Sequence, residues 1–342
     1  MTSLYPRSTA RTSSGRRATR MKKYVVSVIC VVVIIGAVVA AAMIWGPLRS
    51  SSHPTGPVRY LGVYEPDAPG SYTGVNQFAK AIGRQPSLVS YYSPWLDRFQ
   101  AGFAATAARH GAIALVQMDP KTAQGESVPL AGIAAGRYDS YLRSYAAGVK
   151  ASGTQVILSF GHEMNGNWYS WGHEHTSAGV FVKAWRHIVN VFRAAGAKNV
   201  TWLWTVNVIN ESPPIPNPRP WWPGNSYVNW VGIDGYYFLS SQSFAQVFGP
   251  TIVDVRALTH DPIFISETGA SPEAGQAAKI TDLFDGIRTY GLLGFLWFDE
   301  NTQGRAWRLS SPGAFAAFRQ DAKTFMRPPA TSASAPSGTP SP

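Results

Sequence analysis

Between residues 59 and 326 the chain alternates between two hydrophobic patterns. Short runs of almost unbroken β-branched and aromatic residues are separated by longer stretches in which apolar positions recur every three or four residues. Eight runs show the first pattern: 60–66 (YLGVYEP), 87–95 (SLVSYYSPW), 112–120 (AIALVQMDP), 156–163 (VILSFGHE), 201–207 (TWLWTVN), 229–237 (NWVGIDGYY), 262–269 (PIFISETG) and 294–301 (GFLWFDEN). Near-continuous apolar character is what a strand covered on both faces requires. Stretches such as 97–111, 138–153 and 177–197 carry the helical period, and several close on a glycine where a helix C-cap is expected. Eight strand-helix units in close to the ~250 residues usual for the architecture predict an α/β fold, a single (β/α)₈ barrel. A doubly wound open sheet would show the same alternation, but no glycine-rich phosphate loop follows the first strand. One gap breaks the rhythm. Ile209 to Tyr227 places five prolines before a tryptophan pair and has no helical period, which predicts a long loop over one end of the barrel.

The flanks behave differently. Tyr24 to Trp45 is 22 residues without a charge, enough to cross a hydrocarbon core of ~30 Å at ~1.5 Å per residue. Residues 1–23 hold seven Lys or Arg and no acid, so the positive-inside rule predicts a cytoplasmic tail, a single membrane-spanning signal anchor over 24–45 and an extracellular domain. Cleavage after the small residues Ala40 to Ala42, giving a secreted enzyme, is the alternative. A Pro/Ser/Gly linker spans 46–58 and a Pro/Ser/Ala tail spans 327–342, neither with enough apolar surface to fold. The single cysteine, Cys30, falls in the anchor, so the barrel must be held by its core. The net charge of +11 suggests nucleic acid until it is divided along the chain. Beyond residue 23 the surplus of basic residues is only 4, which argues against a nucleic-acid partner.

In a barrel of this kind reactive groups sit at the C-terminal ends of strands. The eight ends carry Glu65, Trp95, Asp119, Glu163, Asn207, Tyr236, Glu267 and Asp299. Glu163 and Glu267 lie 104 residues apart, on the fourth and seventh segments, but on the same rim. Two carboxylates about 5 to 5.5 Å apart are the requirement of retaining glycoside hydrolysis, one as acid/base and the other as nucleophile.

The stretch 159–172 (SFGHEMNGNWYSWG) resembles the acid/base signature of glycoside hydrolase family 26, and 264–271 (FISETGAS) resembles its nucleophile strand. WVGIDGYYF at 230–238 and LWFDENTQGRAWRLSS at 296–311 are similar to its sixth and eighth strand ends. That resemblance implies a retaining β-polysaccharide hydrolase, most often an endo-β-1,4-mannanase, with mixed-linkage β-glucan as the next substrate. It implies Glu163 as general acid/base and Glu267 as nucleophile, with Tyr236 hydrogen-bonded to Glu267. His162 would contact the sugar at the cleavage point and Trp297 would form the platform beneath it. Trp168 and Trp171 would stack on sugar faces. Asn207 and Asp299 would bind hydroxyls, Glu65 and Asp119 would line distal subsites, and Trp221 and Trp222 would cover the cleft. Many relatives carry an arginine two or three residues before the histidine of HEMNG, where this chain has Ser159, Phe160 and Gly161.

Weaker signals change little. His173, Glu174 and His175 alternate on a loop without further ligands, and HEMNG lacks the second histidine of HExxH, so no metal is expected. No cofactor is implied, and a monomer is the default. A second class stays open: a membrane-tethered carbohydrate-binding protein that keeps the barrel without turnover.

Overall fold

A computed structural model describes residues 60–210, 214–302 and 304–325. Eight parallel strands close on themselves: β1 (Tyr60–Tyr64), β2 (Leu88–Trp95), β3 (Ile113–Thr122), β4 (Val156–Phe160), β5 (Val200–Asn207), β6 (Trp230–Asp234), β7 (Ile263–Thr268) and β8 (Gly294–Phe298), with β1 pairing both β2 and β8. The predicted tail over 1–23, span over 24–45, linker over 46–58 and tail over 327–342 lie outside the described residues, and among those described no helix is long and apolar enough to cross a membrane.

Around the sheet run α1 (Thr73–Ile82), α2 (Ala101–Arg109), α3 (Leu130–Ala134), α4 (Asp139–Ser152), α5 (Ala178–Ala194), α6 (Phe244–Val247), α7 (Gly249–Arg256), α8 (Gln276–Thr289) and α9 (Pro312–Thr324). The longest, α5, buries Phe181, Ala184, Trp185, Ile188 and Phe192 at helical spacing, each large side chain contributing about 1.5–3 kcal/mol by leaving water. α1 and α4 stop at Gly83 and Gly153, both left-handed at φ 69° and 64°.

Strand alternation sorts the core into two parts. Leu88, Leu115, Ile157, Leu203, Phe264 and Leu296 form an apolar layer inside the barrel. Their neighbours on the other parity, among them Val89, Val116, Leu158, Trp204, Ile265 and Trp297, join the larger cluster shared with the helices. Above the inner layer the interior turns polar: Ser159 bonds Thr205 at 3.1 Å, and Ser266 donates to Asp234 at 2.6 Å.

The stretch 209–227 departs from expectation. Its described residues do not line the cleft; among them no α-helix occurs between β5 and β6, and they occupy the place such a helix would take. Two 3₁₀ turns, Arg219–Trp221 and Asn225–Tyr227, pack on α5, where Arg186 Nε donates to the Pro223 carbonyl at 2.7 Å. Trp222 meets the outward face of Trp204 edge-on at 4.9 Å, and Trp221 is buried. The outer face of β5 needs an apolar cover, and prolines with two indoles supply it where no helical period exists.

Candidate active site

The chain leaves β4 at Phe160 and turns sharply. Gly161 is left-handed at φ 56°, and Glu163 holds φ 54°, a conformation that costs a residue with a Cβ roughly 1 kcal/mol or more. The turn is pinned from both sides, Gly161 N–H to the Met118 carbonyl and Glu163 N–H to the Thr205 carbonyl, each at 3.0 Å. Asn165 then locks onto the end of β5: its amide donates to the Asn207 carbonyl at 2.8 Å, and its Oδ1 accepts from Asn207 N–H at 2.9 Å. Gly166 has no side chain because the Trp168 indole lies over it; an added Cβ would sit 2.4 Å from that ring. So placed, Trp168 Nε1 donates to Glu163 Oε2 at 2.8 Å. Where many relatives carry an arginine before His162, Ser159 bonds Thr205 inside the barrel, Phe160 packs on Phe181, and Gly161 takes a left-handed turn.

Glu267 arrives from β7 through an irregularity. The β6–β7 register shifts between Ile233 and Asp234, so that Asp234 pairs with Glu267 and the glutamate turns into the barrel mouth. Both carboxylate oxygens accept from phenols: Tyr236 donates to Oε1 and Tyr92 to Oε2, the latter at 2.5 Å. Burial, and next the Glu267 charge, push both phenols well above their ordinary value, so they stay protonated donors.

Glu163 and Glu267 line one cleft of about 930 Å³, together with Tyr64, Asp119, Tyr169, Asn207, Phe298 and Trp307. Its walls rise on the β3 hairpin, where Lys121 bridges Ser127, and on the hairpin of β9 (Asn301–Thr302) and β10 (Arg305–Ala306). His162 is buried beneath: Nδ1 meets Asp119 Oδ1 and Nε2 meets Tyr169 Oη, both at 3.1 Å. Burial alone would lower its pKa, but the Asp119 charge and hydrogen bond, with Glu163 and Asp234 beyond, outweigh that and raise it to about 10. Asp234 is itself pushed well above the carboxylate range by burial and by the Glu267 and Glu163 charges. Among the described residues no group of three or more His, Cys, Asp or Glu side chains is placed so that it could hold a metal ion.

Two carboxylates facing one open cleft at strand ends four and seven match the family suggested by the sequence, and the comparisons agree. Residues 138–270 match glycosyl hydrolase family 26. Over 270 residues the chain is 31% identical to Endoglucanase H of Acetivibrio thermocellus, a match covering 73% of this chain and 29% of that protein. The chain belongs to glycosyl hydrolase family 26. A 93-residue match, 29% identical, links this family 26 chain to "Mannan endo-1,4-beta-mannosidase A and B" of Caldalkalibacillus mannanilyticus, covering 25% of this chain and 17% of that protein. It thus spans under a third of the length of either curated relative. A Bacillus subtilis mannanase structure shares the fold, with TM-score 0.58 and 18% identity over 76% of this chain and 84% of that one.

Within the family 26 cleft the predicted residues divide. Glu163, Glu267, Trp168, Asn207, Tyr236 and Asp119 line it. Trp297 does not: it stands on the outward parity of β8, fully buried, edge-on to Phe318 of α9 at 5.7 Å. Phe298 next to it points into the cleft, and Trp307 after β10 reaches it as well, lying on Tyr236 at 4.3 Å. Trp171 is buried under Tyr169, stacked at 4.3 Å with its Nε1 on the His162 carbonyl, so it backs the site without facing sugar. Asp299 and Glu65 turn to each other beside Arg308, which lies 3.2 Å from Glu65 and 3.7 Å from Asp299, and neither lines the cleft. His162 has both ring nitrogens engaged by protein. Tyr92, Tyr169, Phe298 and Trp307 were not anticipated. The one available signal was the density of aromatics just before strand ends, and a buried barrel gives that too.

Proposed function

We propose that this chain is a retaining endo-hydrolase of a β-linked polysaccharide, with β-1,4-mannan as substrate, working through Glu163 and Glu267. The observation that carries the reading is that both glutamates line one cleft, with Trp168 donating to Glu163 and Tyr92 and Tyr236 donating to Glu267. The protonated Glu163 carboxyl gives its proton to the departing glycosidic oxygen as Glu267 attacks the anomeric carbon and the C–O bond breaks. Water then attacks the glycosyl ester. Glu163 takes the water proton, the bond to Glu267 breaks, and the anomeric configuration is restored. Tyr92 and Tyr236 fix the attacking carboxylate, and Trp168 fixes the acid.

A second substrate class, a β-glucan, with mixed-linkage β-1,3-1,4-glucan as the candidate, is favoured by one observation: the likeness to a protein named Endoglucanase H runs over 73% of the chain, the likeness to the mannosidase over 25%. The two polymers differ in an axial or equatorial 2-hydroxyl. The basic tail and uncharged stretch 24–45 further support a barrel tethered outside the cytoplasmic membrane. Incubating the full-length chain with mannan, glucomannan, mixed-linkage glucan and cellulose, beside Glu163→Ala and Glu267→Ala, tests the activity. Cleavage of mannan lost in both variants supports the first reading, and cleavage of mixed-linkage glucan alone moves the substrate to the second. Silence on all four, with one polymer still bound, favours a binding protein.

A further inference from the structure

Tyr169 ends a chain of polar contacts that begins on β3 and opens into the cleft. Asp119 Oδ1 meets His162 Nδ1 and His162 Nε2 meets Tyr169 Oη, each at 3.1 Å. The phenol ring is fixed in place. It lies flat on Trp171, with 4.3 Å between centroids and 10° between planes, and Trp171 is tied by its indole N–H to the His162 carbonyl at 2.8 Å.

The direction of these hydrogen bonds follows from what surrounds the imidazole. A carboxylate only accepts, so Nδ1 carries a proton. The groups facing the ring are Asp119 from β3, Glu163 next in the chain, Asp234 from β6, the Tyr92 ring from β2, and Tyr169 with Trp171 from the loop. Asp119 is in direct contact with the ring and none of the facing groups is a cation, so this setting favours the charged ring, in agreement with the raised pKa of about 10. With both nitrogens protonated, Nε2–H donates to Tyr169 Oη, and the phenol must send its own proton elsewhere. Tyr169 lines the cleft, and among the described residues its hydroxyl has no other hydrogen-bond partner.

We propose that Tyr169 contacts the substrate as a hydrogen-bond donor, with Asp119 and His162 positioning it by occupying the lone pair through which it would otherwise accept. This rests on the hydrolase reading of the cleft. The sugar oxygen opposite Tyr169 must accept. A neutral imidazole would reverse the chain, because Tyr169 would then donate to Nε2 and show the substrate only a lone pair. The proton on His162 therefore sets the polarity of this contact, and Asp119 holds that proton in place.

The test measures kcat and KM of the full-length chain, on the polymer the wild type cleaves, for Tyr169→Phe, Asp119→Asn and the double variant across about pH 5 to 10. Tyr169→Phe is expected to lose roughly tenfold to a hundredfold in kcat/KM, the range of one directed hydrogen bond, at an unchanged melting temperature. Asp119→Asn is expected to lose activity on the alkaline side at a lower pH than wild type. That shift should vanish in the double variant, where there is no phenol left to reverse. Tyr169→Phe within twofold of wild type overturns the proposal, as does an Asp119→Asn shift that persists with Phe at 169. A wild type that cleaves no polymer overturns the hydrolase reading itself, a separate outcome.

Discussion

Two pairs of carboxylates stand at strand ends of one barrel, and they are built for opposite ends. Glu163 and Glu267 receive an indole and two phenols, and the cleft lies open before them. Glu65 and Asp299, on adjacent β1 and β8, turn toward each other and toward Arg308, while Leu309 N–H closes on Asp299 Oδ1 at 2.7 Å. Burial, then the Asp299 charge beside it, raises the Glu65 carboxyl to about 8, a shift of the size expected of a catalytic acid. Yet it does not line the cleft that Glu163 and Glu267 share. A strand end supplies a carboxylate with a place, and the groups beside it decide whether it lines the cleft.

The strongest way to break this contrast is to neutralise both kinds of acid. Glu163→Gln should lose about 10²–10⁴-fold in kcat on the cleaved polymer, and Glu267→Gln at least as much, while Glu65→Gln stays near wild type. A comparable loss in Glu65→Gln would erase the distinction. Next in size, β8 carries the same contrast between its faces: Trp297→Ala should cost about 3–5 kcal/mol in denaturant unfolding, with KM unchanged. Removing one phenol from the reactive pair, by Tyr92→Phe or Tyr236→Phe, deletes a hydrogen bond to a charged group and should lower kcat by an amount equivalent to about 1.5–3 kcal/mol, with the fold intact. Arg308→Ala should destabilise by about 1 kcal/mol, since that side chain is half-exposed, and leave kcat alone. The smallest effect is a slope. Glu65 holds its proton more tightly folded than unfolded, so folding takes one up between about pH 4.5 and 8, and the native state weakens as pH climbs through that window. Equilibrium unfolding of Glu65→Gln should show a flatter stability curve there.

The barrel was legible because its eight strands are largely covered on both faces and so spell nearly continuous apolar runs. That same property hid which residues face inward. Along Leu296, Trp297 and Phe298 no polar residue marks the parity, so Trp297 looked as good a platform as Phe298 until the register was known. Glu163, Glu267, Trp168 and Tyr236 were legible through short motifs whose reasons are local, such as the glycine beneath Trp168. Tyr92 was not, because its bond to Glu267 joins positions 175 residues apart and a tyrosine in a strand reads as core. Trp221 and Trp222 were misplaced over the cleft for a related reason. Proline-rich sequence announces a loop, but only the bare outer face of Trp204 says where that loop must lie.

That loop gives the wall a seam. Over 214–229 the barrel is closed by wedged side chains and a few short turns, Trp221 N–H to Pro218, Trp222 N–H to Arg219 and Tyr227 N–H to Gly224, where its neighbours have the cooperative ladder of a helix. Segments held by so few backbone bonds open at a lower free energy than the global fold. Amide exchange should therefore be fastest along this flank while the strands beneath stay protected, and a protease should nick the chain here first, wetting the indole of Trp204 and shifting its emission to the red before the sheet gives way.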